Sequence, residues 1–71
     1  MYIIPKVHVW IAILKLNQSE DNISLIDLIQ PELEIIDYEP EDKYGGEEYC
    51  IYYRGQKLWL NPEDILAIVG D

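Results

Sequence analysis

The chain has few of the cysteine and histidine residues that stabilise small proteins through disulfides or bound metal ions. Its 71 residues contain one cysteine, Cys50, so no disulfide can form within a monomer. It also has one histidine, His8, and these two residues cannot supply the four ligands of a structural zinc site. Because so short a chain buries only a small core, we expect extra burial through homo-oligomerisation and no metal or other cofactor.

Positive charge is scarce as well. Five Lys and Arg residues stand against fourteen Asp and Glu, for a net charge of −9. This balance excludes the basic footprint of a nucleic-acid-binding protein and the basic face of a membrane-surface helix. The acid is concentrated in an acidic belt, which consists of Glu32, Glu34, Asp37, Glu39, Glu41, Asp42, Glu47 and Glu48. Two interpretations stay open: a solvated face, or a surface that attracts a basic partner.

Long hydrophobic runs and a signal peptide are not found in the sequence. The apolar run at residues 9–14 falls far short of the roughly 18 residues that a membrane-spanning helix needs. Residues 1–5 carry no charged segment, and no small-residue cleavage site follows them. We therefore expect no membrane association and a cytoplasmic location, in a bacterium or a phage-infected host cell.

Phenylalanine is absent, and the aromatic residues are six Tyr and two Trp. Tyr and Trp combine an apolar ring with a polar group, which suits surfaces that a partner covers. The alternative is that the shallow core of a tiny domain leaves its aromatic residues half exposed.

The pattern of the chain predicts a mainly β domain over residues 1–71. Residues 7–14 are β-branched and aromatic, which predicts a strand covered on both faces. A second strand is predicted at residues 33–38, where the Ile35-Ile36 doublet indicates a bulge or burial on both faces. Residues 47–53 and 56–60 predict a hairpin that turns at Arg54-Gly55.

The end of the chain completes this predicted fold. Asn61 caps a single turn that begins at Pro62, and a last strand follows at residues 65–69. We expect a small, partly open antiparallel barrel of four or five strands, with one short helix or loop and with its terminal strands paired.

Residues 17–31 form the most unusual stretch. A polar run at residues 17–22 predicts a loop, Ser24 and Asp27 have the spacing of a capping box, and Pro31 ends any helix before it. A helix this short cannot bury all of its apolar residues on one side, so part of that surface suits another molecule. The candidate partner-binding residues are Ile23, Leu25, Ile26, Leu28 and Ile29. Whether they lie on a two-turn helix or a mobile loop stays open.

Both ends of the sequence resemble the GroES-type co-chaperonins. The residues that carry the resemblance are Met1-Tyr2-Ile3-Ile4-Pro5, Tyr44-Gly45-Gly46 and Asp64-Ile65-Leu66-Ala67-Ile68-Val69. The resemblance implies a ring of barrels that docks on a chaperonin through an apolar loop, here the five candidate residues. It also implies subunit contacts through residues 65–69 and the first strand. Between Asp37 and Tyr44 the chain lacks the roof hairpin of the family.

Two alternatives to a co-chaperonin are an inhibitor of a nucleic-acid-binding protein and an enzyme. A phage-type inhibitor, of the anti-restriction or anti-CRISPR kind, would use the acidic belt to occupy a basic nucleic-acid-binding surface, because its carboxylates can take the places of phosphates. An enzyme would need a nucleophile beside a base, and nothing places Cys50 within reach of His8. The expectation is a non-enzymatic protein-binding module.

Overall fold

The computed structural model describes residues 1–41 and 46–70. Two parts of the sequence predictions lie outside these residues: Asp42 of the acidic belt, and Tyr44-Gly45 of the Tyr-Gly-Gly step. The fold has one α-helix, α1, at Val7–Asn17. The strands are β1 Tyr2–Pro5, β2 Leu33–Glu39, β3 Glu48–Tyr53, β4 Gln56–Leu60 and β5 Ile65–Val69. Short 3₁₀ turns lie at Glu20–Asn22, Leu25–Leu28 and Pro62–Asp64.

The five strands form one antiparallel sheet in the order β4-β3-β2-β1-β5. The predicted mainly β fold with four or five antiparallel strands is therefore confirmed. The terminal strands pair, with Tyr2 opposite Val69 and Ile3 opposite Ile68. The first of them is Tyr2–Pro5, however, and not the strand predicted at residues 7–14. The sheet is not a closed barrel, because β4 and β5 lie at its two opposite edges.

Strand β2 joins the two halves of the sheet. Its first residues, Leu33 and Glu34, pair with β1, whereas the residues from Ile35 onward pair with β3. The register with β3 shifts between Ile35 and Asp37, which is the irregularity that the Ile35-Ile36 doublet predicts. One bent strand can therefore serve both neighbours.

The strand predicted at residues 7–14 is wrong, because this segment lies in α1. The helix begins after Pro5 and Lys6, and the backbone N–H of Trp10 donates to the Lys6 carbonyl oxygen at 2.9 Å. Its buried residues, Trp10, Ile13 and Leu14, have the spacing of one helical face and pack against the sheet. Burying such side chains is worth roughly 1.5–3 kcal/mol each, which outweighs the weak preference of β-branched residues for strands.

The predicted hairpin and final turn are confirmed. Arg54 and Gly55 have φ angles of 49° and 84°, the left-handed conformations that a tight two-residue hairpin turn requires. After β4, the Asn61 N–H donates to the Asp64 carboxylate at 3.1 Å, and Pro62 occupies the first position of the turn. This turn leads directly into β5.

The core lies between α1 and one face of the sheet. It contains Ile3, Trp10, Ile13, Leu14, Leu33, Ile51 and Leu60. Ile51, at the centre of β3, is 0% exposed and faces Ile35 of β2 and Leu58 of β4. Across residues 1–41 and 46–70, no helix has the length and apolar character needed to cross a membrane.

Removing one methylene from the core tests this packing. Ile51→Val should lower the free energy of unfolding by about 0.5–1.5 kcal/mol, because the cavity it leaves is closed on all sides. Ile26→Val, the same change at an exposed position, should stay within about 0.5 kcal/mol of the parent. Urea denaturation of the three proteins measures the difference, and equal losses at both positions would contradict the placement of Ile51 in the core.

Candidate functional site

The candidate partner-binding residues lie on and around the 3₁₀ turn at Leu25–Leu28. The Asp27 carboxylate accepts hydrogen bonds from the Ser24 backbone N–H at 2.9 Å and from the Ser24 hydroxyl at 3.1 Å. The predicted Ser24–Asp27 cap therefore forms, on a single 3₁₀ turn rather than a two-turn helix. The Ser24 backbone N–H is the main cause that lowers the pKa of Asp27, and the Ser24 hydroxyl adds to it.

Two hydrogen bonds fasten this turn to the rest of the fold. The indole Nε1–H of Trp10, a core residue of α1, donates to the backbone oxygen of Asp27 at 2.6 Å. The Gln30 side chain donates to the Pro5 carbonyl oxygen at 3.1 Å, at the end of β1. These bonds connect the turn to both the helix and the sheet, through the Asp27 backbone and through the Gln30 side chain just after the turn.

The five candidate residues divide into two groups. Ile23 and Leu28 are partly buried and pack against the core. The other three point away from it: Leu25 is 85% exposed, Ile26 73% and Ile29 70%. We name these three the apolar patch. Large aliphatic side chains this exposed, close together in the chain and on a fastened turn, are a feature of partner-binding surfaces.

The acidic belt surrounds β2 and the start of β3. Its exposed members among the described residues are Glu32, Glu34, Asp37, Glu39, Glu41 and Glu47. Glu48 is half-buried and lies opposite Glu39 in the ladder between β2 and β3. The belt is therefore presented to solvent along one strand and its neighbour.

Tyr38, Tyr49 and Glu47 form a cluster that the sequence did not indicate. The two rings lie opposite each other on β2 and β3, with centroids 4.8 Å apart. Both hydroxyls donate to Glu47 Oε2, Tyr38 at 2.8 Å and Tyr49 at 3.4 Å. The rings line an apolar groove of about 300 Å³ with Met1 and Ile35. The long connection between these strands hides their register, so no local pattern in the sequence indicates this pairing.

Glu47 affects both tyrosines of this cluster. Its hydrogen bond is the main reason that the pKa of Tyr38 is raised. Burial is the main cause that raises the pKa of Tyr49, and the Glu47 charge adds to it. Both phenols therefore stay protonated through the physiological range and serve as hydrogen-bond donors.

Cys50 and His8 lie in different surroundings. The Cys50 side chain is 1% exposed, and its sulfur has a weak contact with the Ile51 carbonyl oxygen at 3.8 Å. His8 is exposed on the first turn of α1. No group of three potential metal ligands comes together in the part of the chain that the structure describes.

Comparison of the chain with protein-family models, with curated proteins and with solved structures finds no significant match.

Replacing Trp10 tests whether it fastens the turn. Trp10→Phe keeps an aromatic ring beside Tyr53, whose centroid lies 5.1 Å from that of Trp10, but removes the donor to Asp27. The unfolding free energy should fall by about 1–3 kcal/mol, and hydrogen exchange of the Asp27 and Ile29 amides should accelerate. Trp59→Phe, at a half-exposed indole on β4, should leave both unchanged. Unchanged exchange at Asp27 in the Trp10 variant would show that another contact holds the turn.

The cap gives a prediction about pH. Because the folded-state pKa of Asp27 is lowered, its contribution to stability is complete above the unfolded-state pKa and is lost as the pH falls through the folded-state value. NMR titration of the Asp27 carboxyl should give a pKa below the usual range. Ser24→Ala should move that pKa part of the way back, since the backbone donor stays. An unchanged pKa in this variant would mean that the hydroxyl bond does not form in solution.

Proposed function

We propose that the protein is a non-enzymatic binding module that docks on a protein partner through the apolar patch. The observation that carries the proposal is the exposure of Leu25, Ile26 and Ile29 on a turn that Trp10 and Gln30 fasten to the fold. A marginal 71-residue domain gains nothing in stability from large aliphatic side chains in water. Their burial by a partner would yield roughly 1.5–3 kcal/mol each if complete.

The geometry of the turn favours docking into an apolar groove. Its two inward residues, Ile23 and Leu28, pack on the core, so the patch is already oriented before a partner arrives. A partner therefore has to order the three outer side chains but not the backbone. This lowers the entropic cost of binding compared with a mobile loop of the same composition.

The partner we propose is a chaperonin ring. The stretch that the GroES-type resemblance assigns to chaperonin docking is the stretch that contains the apolar patch. The two ends of the chain that carry the resemblance also lie side by side, since β1 pairs with β5. The helix α1 replaces the strand that the resemblance implies after Pro5, so the protein would be a remodelled co-chaperonin.

A triple substitution tests the patch. The variant Leu25→Ser, Ile26→Ser, Ile29→Ser should keep the parent's stability and lose nucleotide-dependent binding to a bacterial chaperonin ring by more than about tenfold, which corresponds to 1.4 kcal/mol. Leu16→Ser, an exposed leucine on α1, is the matched control and should bind as the parent does. Surface plasmon resonance with immobilised rings measures both.

The outcomes of this experiment separate the proposals. A parent protein that ignores the ring would exclude chaperonin as the partner. A triple variant that binds as tightly as the parent would exclude the patch as the docking surface. Charge reversal of Glu39 and Glu41 tests the inhibitor alternative. If this variant no longer captures a basic nuclease and the triple variant still does, the acidic belt is the binding surface.

A further inference from the structure

The groove at Tyr38 and Tyr49 continues the inner face of the sheet beyond the helix. Tyr49, Ile51 and Tyr53 alternate along β3, so they share the face that packs on the core. At one end α1 covers this face, since the Tyr53 ring meets Trp10 edge-on with centroids 5.1 Å apart. At the Tyr49 end the face opens into a groove of about 300 Å³. We name it the tyrosine groove, and it is lined by Met1, Ile35, Tyr38 and Tyr49.

Glu47 places a carboxylate at the hydroxyl end of both rings. Its Oε2 accepts the Tyr38 hydroxyl at 2.8 Å and the Tyr49 hydroxyl at 3.4 Å. A carboxylate has about four acceptor positions, so two donors do not saturate it. The two bonds also hold the carboxylate beside the groove, where it can accept from a donor on a bound molecule.

Negative charge dominates the strands that form the tyrosine groove. Residues 32–41 and 46–53, which include both strands, contain seven of the eight members of the acidic belt and no lysine, arginine or histidine. Glu39 and Glu48 lie opposite each other one step beyond the two rings. The α-amino group of Met1 adds one positive charge, which the carboxylates outnumber. The local field therefore repels an anion and attracts a cation.

The size and walls of the tyrosine groove fit a long side chain. Its volume is at the lower end of the roughly 300–1,000 Å³ that ligand pockets span. An arginine has an aliphatic stem that packs on apolar walls, and a planar guanidinium that stacks on aromatic rings and donates to carboxylates. The ammonium of a lysine is a compact, strongly hydrated charge, so it matches flat rings less well.

We propose that the tyrosine groove binds the side chain of an arginine from a basic segment of a protein partner, with the guanidinium against the phenol rings and its N–H groups donating to Glu47. This site goes beyond the docking function of the apolar patch and does not depend on it. It also differs from attraction by the acidic belt as a whole, because total charge alone would not distinguish one carboxylate of the belt from another.

Peptide binding to the parent protein tests the occupant. The probe is a short glycine-serine peptide with two arginines, and its matched control carries citrulline, the neutral isostere of arginine, at both positions. In roughly 0.15 M salt, where exposed charges are screened beyond about 8 Å, the arginine peptide should shift the Tyr38 and Tyr49 amide signals in NMR spectra. The citrulline peptide should bind at least about fivefold more weakly, because the charge-assisted hydrogen bonds and the cation–π contact are lost.

Two variants with matched controls test the site. Glu47→Gln removes the carboxylate charge and Tyr38→Leu removes one ring, and each should weaken binding of the arginine peptide at least about threefold. Glu32→Gln makes the same change of charge at an exposed belt position six residues from Tyr38, and Tyr52→Leu removes a ring that is 54% exposed on the opposite face of β3. Both controls should bind within about twofold of the parent.

The outcomes decide the proposal without depending on any one variant. Equal binding of the arginine and citrulline peptides by the parent would overturn it, as would the absence of amide shifts at millimolar arginine peptide. A loss in Glu32→Gln as large as that in Glu47→Gln would show that the whole belt attracts the peptide and would also overturn it. The triple variant of the apolar patch should bind the peptide as the parent does, so this test stands apart from the docking proposal.

Discussion

The hydrogen bond from the Trp10 indole to the Asp27 carbonyl is the contact on which the candidate site depends. The Trp10 ring lies in the core, beside Tyr53 and among residues of α1 and the sheet, while its N–H reaches the turn at 2.6 Å. A buried indole needs a partner for its single donor. The turn supplies that partner, and in return its backbone is fixed in a position that directs Leu25, Ile26 and Ile29 outward. The stability of the core and the presentation of the apolar patch are therefore coupled through one side chain.

This coupling explains why so small a domain can hold a large apolar surface in water. Ile23 and Leu28 pack against the core from the same segment that exposes the apolar patch. Their burial offsets part of the cost of leaving three aliphatic side chains in solvent. The sheet likewise has one buried and one exposed face. Ile51 is buried, whereas Tyr52, its neighbour in β3, lies on the opposite face and is more than half exposed.

Much of the fold follows from local sequence, and its failures follow from tertiary context. Arg54-Gly55 and Asn61-Pro62 specify turns through backbone geometry that few other residues adopt, so the hairpin and β5 were predictable. The helix at residues 7–14 was not predictable from the sequence. A nearly continuous apolar run shows neither the helical nor the strand period, so only packing against the sheet selects a helix there. The Ser24–Asp27 cap could be read from spacing. The division of the apolar residues around it could not, since the donor that fastens the turn is Trp10, which lies 17 positions away from Asp27. The pairing of Tyr38 with Tyr49 was not predictable either, because the two residues belong to different strands whose register no local pattern indicates.

Asp27 and Asp64, which both stand beside exposed apolar residues in the chain, share one arrangement. Asp27 lies within the turn that carries the apolar patch, and its carboxylate accepts the N–H and hydroxyl of Ser24. Asp64 immediately precedes β5, and its carboxylate accepts the N–H of Asn61. In both places these hydrogen bonds of the carboxylate stay within its own turn, and the carboxylate keeps its negative charge. The remaining acid is gathered on β2 and β3, where Glu34, Asp37 and Glu39 are exposed. A strongly acidic chain can thus present the apolar patch beside a carboxylate that is already hydrogen-bonded within its own turn, while other exposed carboxylates lie along β2 and β3.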